Sequence, residues 1–471
     1  MTLTEAATVL AARLQGSDIR FDGVSTDTRT LEPGNLFIAL RGERYDGHGF
    51  VPAAARAGAA AAMVDPAGIP PEGELPLLIV EDTRLALGRL AAHWRRRFAL
   101  PLVALTGSSG KTTVKEMLAA ILREAASVRV GRVEAAEAVL ATRGNLNNDI
   151  GMPLMLLELG SRHHYAVIEM GMNHAGEIRY LTQLAEPDVA LVTNAGRAHI
   201  EFLGSELAIA RAKGEIFEGL RAEGTAVINA DDPHAGLWRE VTTGKRCVDF
   251  GLEQPAAVTG TYELRELDSE IVLKTPRGEA TARLNAPGVH NVRNALAASA
   301  AAIALDIPVS TIAAGLEHFS GIKGRLQRKT GIKGSVVLDD TYNANPESVR
   351  AAIAVLAQAV GPKIFVFGDM GELGPDAPLM HTELGFCAKE ARIDRVLTLG
   401  EHAALTAETF GAGGQNYGRI EDLIADLKNA LAPNVTVLVK GSRFMKMERV
   451  VDAIAADERE STSEKGATGN R

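Results

Sequence analysis

The sequence predicts an α/β protein of three domains, and its length, composition and alternation of strands and helices all support this fold class. At 471 residues, the chain exceeds one ordinary domain of about 100–200 residues. Hydrophobic residues make up 46% and aromatic residues only 4%, a composition that suits α/β layers better than a β-sandwich. Strands that alternate with helices predict parallel sheets covered on both faces.

Residues 1–97 are predicted to form a small N-terminal α/β domain. The short apolar runs Leu36–Leu40 and Leu77–Val80 are typical of strands, whereas the Ala-rich segment Ala53–Ala62 favours a helix. The run H-W-R-R-R-F at His93–Phe98 ends a helix and marks the predicted boundary. We expect its arginines to form a solvated helix face.

Residues 98–321 and 322–458 each alternate apolar strands with helices. The first block is predicted to be a central domain on a parallel sheet, with strands at Leu102–Leu105, Tyr165–Glu169, Val189–Thr193 and Thr225–Asn229. The second block predicts a smaller, Rossmann-like C-terminal domain. The polar tail, 459–471, lacks apolar periodicity and is predicted to be disordered.

Charge and cysteine usage exclude several classes of protein. The formal net charge is −9, so a chain-wide basic footprint is absent and we expect no nucleic-acid partner. No apolar stretch reaches the length of about 18 residues expected of a membrane span, and the N-terminus lacks a signal-peptide pattern. Cys247 and Cys387 lie far apart and form no metal or disulfide framework. We expect a cytoplasmic monomer with no membrane span.

The strongest local signal is T-G-S-S-G-K-T-T, which lies between a predicted strand and a predicted helix. Its glycines let backbone N–H groups converge on phosphate oxygens, and the helix N-terminus adds partial positive charge. Lys111 would reach the β- and γ-phosphates and the Thr112 hydroxyl would bind Mg²⁺. Leu105 stands where the general P-loop pattern begins with Gly, and a Gly-rich turn with an exposed lysine is the alternative. The predicted nucleotide-binding residues here are Gly107, Ser108, Ser109, Gly110, Lys111, Thr112 and Thr113.

Three further polar residues fall at or soon after predicted strand ends, where ligands gather in an open parallel sheet. Glu169 ends the run Y-A-V-I-E and, with Thr112, offers the oxygen ligands that Mg²⁺ prefers. On spacing alone, His199 is interpreted as a hydrogen-bonded loop histidine and Lys213 as an exposed helix lysine.

Five motifs occur in one order along the chain. After the phosphate loop come G-N-L-N-N-D-I-G-M-P from Gly144, I-E-M-G-M-N-H from Ile168, T-N-A-G-R-A-H from Thr193 and A-K-G-E-I-F from Ala212. This ordered set resembles the Mur ligase family of bacterial cell-wall synthesis, and the resemblance runs from about Val24 to about Val450. Several motifs in a fixed order are more specific than any one of them.

The resemblance implies that the central block is a P-loop ATPase domain, with ATP and two Mg²⁺ ions as cofactors. Thr112 and Glu169 would hold one ion, and His199 with a carbamylated Lys213 would help to hold the second. Carbamylation replaces a cationic amine, which Mg²⁺ would repel, by an anionic oxygen ligand. The implied catalytic residues are Lys111, Glu169, His199 and Lys213.

The family pattern also implies nucleotide contacts outside the phosphate loop. The motif H-N-V-R-N-A-L-A-A places Asn291 and Asn294 near the adenine, although helix capping by Asn291 is an alternative. Arg325 would reach into the nucleotide site and Asp340, at the end of a strand, would contact ATP.

The implied substrates are a UDP-N-acetylmuramoyl-tripeptide and D-Ala-D-Ala. Candidate substrate-binding residues lie in polar loops: Ser25, Asp27, Arg29, Arg41, Asp46, His48, Asn145, Asn147, Asn148, Asn343 and Asn345. Tight turns are the alternative for the N-terminal loops, and a turn before a helix is the alternative for N-A-N-P at Asn343–Pro346. The motif L-V-K-G-S-R at Leu438–Arg443 is predicted to face the amino substrate.

The implied reaction activates the tripeptide carboxylate as an acyl phosphate, which the dipeptide amine then attacks. The alternatives are a related Mur or folylpolyglutamate-type ligase with another amine, a P-loop motor or switch, and a nucleotide-binding regulatory protein. Glu169, His199 and Lys213 together disfavour a pure binding module. Two features depart from the family pattern: Arg197 replaces an expected acid, and Glu124–Arg143 is longer than expected.

Overall fold

The computed structural model describes residues 1–42, 45–70, 75–198, 200–265 and 268–456. The sheets within these ranges confirm the predicted α/β fold class. The domain boundaries predicted after residues 97 and 321 stay predictions, and the predicted disordered tail, 459–471, lies outside the described residues.

The described part of the N-terminal unit contains a five-stranded sheet with helices packed on it. Its elements are α1 (Leu3–Leu10), β1 (Arg13–Gln15), β2 (Gly23–Ser25), β3 (Asn35–Ile38), α2 (Val51–Arg56), β4 (Ala61–Val64), β5 (Leu77–Ile79) and α3 (Thr83–Arg95). The strand order is β1-β5-β4-β3-β2, with β1 antiparallel to β5 and the other pairs parallel.

The helix predicted at Ala53–Ala62 is wrong over its second half. The helix α2 ends at Arg56, and β4 begins at Ala61. All four residues of β4 are buried, so this strand reads as a continuous apolar run without alternation. Without that alternation, the alanine content of the segment favours a helix. Gly58, with φ of +91°, turns the chain between the two elements.

The arginine run at the end of α3 is exposed at Arg96 and Arg97, as predicted, but Arg95 differs from the expected solvated face. The Arg95 side chain is fully buried. Its guanidinium donates to the carbonyl oxygens of Ala185 and Phe98 at 3.1 and 2.6 Å. Burial lowers the pKa of Arg95 to about 10. Arg95 therefore ties α3 to the central unit.

The central unit is built on a wholly parallel sheet of six strands among the described residues. Its elements are β6 (Leu102–Thr106), α4 (Lys111–Val130), α5 (Arg132–Ala135), β7 (Val139–Ala141), α6 (Gly151–Leu157), β8 (Tyr165–Glu169), α7 (Glu177–Ala185), β9 (Val189–Val192), α8 (Ile200–Leu203), α9 (Glu206–Gly214), β10 (Thr225–Asn229), α10 (Ala235–Val241) and β11 (Arg246–Phe250). The strand order is β11-β10-β9-β6-β8-β7. The order reverses on either side of β6, and ligands bind beyond the carboxyl ends of strands at such a point.

A small antiparallel sheet and two helices complete the central unit. They are β12 (Thr259–Leu264), β13 (Ser269–Thr275), β14 (Gly278–Leu284), α11 (Val289–Ala304) and α12 (Val309–Glu317). The long segment Glu124–Arg143 extends α4 to Val130 and then forms α5 and β7. Buried side chains of α4, α11 and the small sheet share one core.

The described residues after 322 form the C-terminal unit around a second six-stranded sheet. Its elements are β15 (Gln327–Thr330), β16 (Val336–Asp340), α13 (Pro346–Ala357), β17 (Lys363–Gly368), α14 (Ala377–Glu390), β18 (Arg395–Leu399), α15 (Ala403–Phe410), β19 (Gly414–Tyr417), α16 (Ile420–Ala430), β20 (Thr436–Lys440) and α17 (Glu448–Ile454). The strand order is β15-β16-β20-β17-β18-β19, with only the β15–β16 pair antiparallel among these strands. The carboxyl ends of β16 and β20 face the central unit's phosphate loop.

None of the helices in the described ranges combines the length and the apolar character of a membrane span.

Candidate active site

The phosphate loop joins β6 to α4 at the centre of the parallel sheet. Gly110 caps the helix with φ of +81°. The positive φ favours glycine, and a Cβ atom at Gly110 would lie 2.3 Å from Asn294 Oδ1 and so displace that side chain from the cleft wall. Lys111 Nζ donates to the Gly107 carbonyl oxygen at 2.6 Å, and burial lowers the pKa of Lys111.

The segment that follows β9 forms hydrogen bonds with the phosphate loop. Asn194 Oδ1 accepts from the Ser109 backbone N–H at 2.9 Å, and Asn194 Nδ2 donates to the Ser109 carbonyl oxygen at 3.0 Å. Thr193 Oγ1 donates to the same carbonyl oxygen at 2.7 Å. Ser108 Oγ accepts from the Gly196 N–H at 2.9 Å. These bonds fix the shape of the phosphate loop.

Glu169 lies at the end of β8, beside the phosphate loop, and is only 3% exposed. Its Oε2 accepts from Thr112 Oγ1 at 2.9 Å and its Oε1 accepts from Asn147 Nδ2 at 2.8 Å. The Glu169 N–H donates to Thr142 Oγ1 at 2.9 Å. A buried carboxylate beside a threonine hydroxyl provides oxygen donors that suit Mg²⁺.

A cleft of about 690 Å³ opens in front of the phosphate loop. Its walls come from the central and C-terminal units. The predicted residues that line it are Ser108, Ser109, Gly110, Lys111, Thr112, Thr113, Asn145, Asn147, Asn148, Glu169, Asn291, Asn294, Arg325, Asp340, Asn343 and Asn345. The structure therefore brings most of the predicted site residues to one cavity, although Gly107, Lys213 and the N-terminal candidates are not among its lining residues.

The start of α11 forms one wall of this cleft. Asn294 Nδ2 donates to Asn291 Oδ1 at 3.2 Å, and Asn291 Nδ2 donates to the Pro287 carbonyl oxygen at 2.8 Å. The helix begins with Gly288 as its N-cap, so Asn291 is not the capping residue. Both asparagines line the cleft, where a side-chain amide can both donate to and accept from a ligand.

The C-terminal unit contributes polar groups that cross to the phosphate loop. Arg325 Nη2 donates to Thr112 Oγ1 at 2.9 Å, and its guanidinium lies 4.4 Å from the centre of the Tyr342 ring. Asn345 Nδ2 donates to Ser109 Oγ at 3.1 Å. Asn345 also accepts from the Ser348 N–H in a capping box at the start of α13. The segment Asn343–Pro346 therefore starts a helix, as the alternative interpretation expected, and also lines the cleft.

Family models match three successive segments of the chain. The matched descriptions are the Mur ligase family catalytic domain at residues 20–95, the Mur ligase middle domain at 105–302 and the Mur ligase glutamate ligase domain at 324–443. The chain belongs to the Mur ligase family. The resemblance predicted from the ordered motifs is confirmed.

Individual Mur ligases match nearly the whole chain. The UDP-N-acetylmuramoyl-tripeptide–D-alanyl-D-alanine ligase of Escherichia coli K12 is 42% identical over 461 residues, covering 96% of the chain and 98% of that protein. The crystal structure of MurF from Acinetobacter baumannii matches with a TM-score of 0.88 and 38% identity, over 96% of the chain and 98% of that structure. MurF from Thermotoga maritima, crystallised with ADP, matches with a TM-score of 0.80 and 29% identity, over 92% and 96%. The chain is an ATP-dependent peptide ligase with the three-domain Mur ligase fold.

Lys213 and His199, the second pair of predicted metal ligands, have different outcomes in this Mur ligase. Lys213 lies in α9 and is only 1% exposed, so the interpretation as an exposed helix lysine is wrong. Burial and the nearby Lys111 ammonium lower the pKa of Lys213 well below its usual value. His199 lies outside the described residues. Among the residues described, no group of three His, Cys, Asp or Glu side chains converges as a metal cluster.

The candidate substrate residues of the N-terminal unit mostly bond to one another. Arg29 Nη2 lies 2.6 Å from Asp27 Oδ2 and lowers the pKa of that carboxyl to about 2. Ser25 Oγ donates to the Asp27 carbonyl oxygen at 2.9 Å. Arg41 Nη1 lies 2.7 Å from Asp46 Oδ2. None of these described residues lines the cleft.

His48 is the most enclosed of these N-terminal candidates, with 8% of its surface exposed. Its Nδ1 lies 2.5 Å from Asp46 Oδ1, and its Nε2 accepts from the Asp65 N–H at 3.0 Å. The latter bond requires the tautomer with the proton on Nδ1. Both ring nitrogens are therefore engaged within the loop.

Sequence reasoning missed several residues that shape the site. Asn194 and Thr193 stand in the recognised motif T-N-A-G-R-A-H, but their support of the phosphate loop has no local signal. Glu215 accepts from the N–H groups of Gly176 and Arg179 at the start of α7. Its position two residues after Lys213 was the available clue.

Proposed function

We propose that this Mur ligase joins D-Ala-D-Ala to UDP-N-acetylmuramoyl-tripeptide, with consumption of ATP, in peptidoglycan precursor synthesis. The observation that carries the proposal is the 42% identity to the Escherichia coli enzyme of that name over nearly the full length of both chains. The ATP cleft supports it, because its walls combine a phosphate loop with asparagines from the central and C-terminal units. ATP and a UDP-activated sugar point to the cytoplasm, and a monomer suffices because one chain supplies the cleft.

The first proposed step transfers the γ-phosphoryl group of ATP to the tripeptide carboxylate. A carboxylate oxygen attacks the γ-phosphorus, the bond from that phosphorus to the β–γ bridging oxygen breaks, and ADP leaves with that oxygen. Lys111 and the N–H groups at the start of α4 would stabilise the developing phosphate charge. Arg325 adds a second cation beside Thr112.

Metal ions would assist this transfer by neutralising phosphate charge. The donors that fit Mg²⁺ here are Glu169 Oε2 and Thr112 Oγ1, which lie 2.9 Å apart. We further propose that Lys213 is carbamylated and helps, with His199, to hold a second ion. The support is its burial and lowered pKa, since a neutral amine reacts with CO₂ and a carbamate can face a cation.

The second proposed step forms the amide bond. The dipeptide amine attacks the acyl carbon, phosphate departs with the electrons of the acyl C–O bond, and the amine gives up a proton. The bonds from Arg325 to Thr112 and from Asn345 to Ser109 hold the C-terminal unit against the ATP cleft. Such contact excludes water from a hydrolysable intermediate.

We assign one task to each predicted domain. Residues 1–97 would bind the UDP-sugar-peptide, 98–321 would bind ATP, and 322–458 would bring in the amine. Among the predicted substrate residues of the first domain, Arg29 and Arg41 are arginines with exposed side chains and could meet a diphosphate. In the second, Asn145, Asn147 and Asn148 line the cleft near Glu169 and would meet the carboxyl end of the peptide.

The test is phosphate release from ATP with UDP-N-acetylmuramoyl-tripeptide, with and without D-Ala-D-Ala, followed by mass analysis of the product. We expect phosphate release that requires both substrates, and a product heavier by the two alanine residues of the dipeptide. An adduct formed only with another amine would identify a related Mur or folylpolyglutamate-type ligase. ATP hydrolysis that ignores both substrates would contradict the proposal and leave a nucleotidase or switch.

A further inference from the structure

Two adjacent carboxylates of β16 each pair with one lysine, but only one of these pairs faces the ATP cleft. Asp340 pairs with Lys440 at 2.5 Å, and both residues line the cleft. Asp339 pairs with Lys329 at 2.7 Å, and neither residue lines it. Consecutive strand residues point to opposite faces, which separates the two pairs.

Lys440 is fixed by the sheet rather than by a mobile loop. It ends β20, and its backbone lies opposite Asp340 in the parallel pairing of β16 with β20. The side chain is 3% exposed. Its Nζ donates both to Asp340 Oδ2 at 2.5 Å and to the Asn343 carbonyl oxygen at 2.9 Å.

These two bonds anchor both C-terminal segments that touch the phosphate loop. Asp340 Oδ1 accepts from the Leu326 N–H at 3.1 Å, next to Arg325, which reaches Thr112. The Asn343 carbonyl lies two residues before Asn345, which reaches Ser109. The Lys440 ammonium group is therefore linked to both contacts between the units, the one made by Arg325 and the one made by Asn345.

We propose that Lys440 is a positioning residue of the nucleotide site, holding the Asp340 carboxylate and the 341–345 segment so that Arg325 and Asn345 meet the phosphate loop. Its motif, L-V-K-G-S-R, is predicted from sequence to face the amino substrate, whereas the Lys440 side chain bonds on the nucleotide side. The inference rests on the proposed function only for its kinetic test, because the nucleotide can be bound without turnover.

The charges around Asp340 set the pH dependence of this arrangement. Burial raises the pKa of the Asp340 carboxyl, and the Lys440 and Arg325 cations oppose that rise. His290 of α11 is held neutral, because burial, Lys440 and Arg293 lower its pKa to about 4. Loss of Lys440 would therefore let Asp340 take up a proton at higher pH, with Arg325 as its remaining cation.

Calorimetric titration of the full chain with ADP and Mg²⁺ tests the proposal. We expect Lys440→Met to weaken ADP binding by about tenfold or more, because it leaves a buried carboxylate without its partner. The matched control Lys329→Met also removes the lysine partner of a buried carboxylate, Asp339, but on the strand face away from the cleft. Its ADP affinity should therefore stay within about twofold of the unaltered protein. In Lys440→Met, the acidic limb of affinity against pH should move to higher pH, whereas Lys329→Met should leave it in place.

A double substitution separates positioning from a general loss of structure. Asp340→Asn in the Lys440→Met background should cost little further affinity, because the carboxyl is already neutral or displaced there. Lys440→Gln keeps hydrogen-bond donors without the charge and should fall between Lys440→Met and the unaltered protein. Thermal midpoints of all variants show whether any of them is unfolded. If Lys440→Met is unfolded, Lys440→Gln replaces it in the ADP titrations.

Three results would overturn the proposal: a Lys440→Met protein that binds ADP as Lys329→Met does, an unmoved acidic limb, or losses from Asp340→Asn and Lys440→Met that multiply. In turnover assays we expect Lys440→Met to lower kcat/KM for ATP without changing KM for the UDP-sugar-peptide. If the unaltered protein binds ADP but forms no dipeptide adduct, the proposed function fails while the ADP titrations still decide the role of Lys440.

Discussion

The ATP cleft and the N-terminal loops are both rich in polar side chains, yet those side chains find their partners at very different sequence separations. In the cleft, Arg325 bonds Thr112 across 213 positions and Asn345 bonds Ser109 across 236. In the N-terminal loops, Arg29 bonds Asp27 and His48 bonds Asp46, each across 2 positions. Arg41 bonds Asp46 across 5 positions and Asp65 across 24, still within the same unit.

The difference teaches which polar residues are available to a ligand. Local pairs are part of turn chemistry, and they form as soon as the turn does. Long-range pairs around a cavity exist only because the whole fold orders them, and their remaining donors and acceptors face the cavity. We therefore expect substitutions in the cleft to reduce activity and substitution of an enclosed loop side chain such as His48 to reduce stability. Arg29 and Arg41, whose side chains are exposed, stay available to the proposed diphosphate.

The largest expected effect is that of Lys111→Met. It removes the cation at the phosphate site and should lower kcat by about 10²–10³-fold. The thermal midpoint should hold or rise, because burial already disfavours the Lys111 charge. Phosphate-release kinetics and thermal unfolding check this, with the exposed Lys274→Met of the same unit as a control. Near-normal turnover would remove the phosphate loop from the chemistry.

The next effect concerns Lys213. Because burial lowers the pKa of Lys213 well below its usual value, more of the amine is uncharged and able to react with CO₂. We therefore expect turnover to fall in CO₂-depleted buffer and to recover when bicarbonate is added. Lys213→Met should remain folded, lose about 10²-fold in kcat and ignore bicarbonate. Intact-mass measurement should find one added CO₂ in the active protein. An unmodified lysine together with CO₂-independent turnover would contradict carbamylation.

His48→Ala probes the other region. It leaves the Asp65 N–H without its acceptor, so the free energy of unfolding should fall by about 1–3 kcal/mol with little change in kcat. Chemical denaturation and steady-state kinetics measure the two quantities. The comparison between the regions breaks if stability is unchanged and KM for the UDP-sugar-peptide rises, because His48 would then contact substrate.

The smallest effect is expected for Arg197→Ala. Arg197 Nε lies 3.0 Å from Glu206 Oε1 in its own unit, and its Nη1 lies 3.8 Å from Glu383 Oε2 of the C-terminal unit. Because this pair is partly exposed, kcat/KM for ATP should change by less than about threefold and lose part of its salt dependence. Arg179→Ala, whose partner Glu218 lies in the same unit, is the control. Equal responses of the two variants would leave Arg197 without a role between the units.

Most of the fold was predictable, because most strands and helices have a hydrophobic pattern that is visible within a short stretch of sequence. Buried strands such as Tyr165–Glu169 and Thr225–Asn229 are apolar runs, and the observed strands have the predicted bounds. The error at Ala61–Val64 arose because a fully buried alanine-rich strand lacks the alternation that identifies strands. Arg95 was misjudged because its partners, Ala185 and Asp188, lie about 90 positions away.

Some residues of the candidate site could be predicted from the sequence, and others could not. The order of residues along the chain was enough to locate the phosphate loop, Glu169 and the family's set of motifs, because backbone geometry and ligand chemistry restrict those residue types locally. Tertiary structure alone decided that Lys213 is buried, that Asn194 supports the phosphate loop and that Lys440 pairs with Asp340. Burial and long-range pairing are properties of how distant segments pack together, and no short stretch of sequence encodes them.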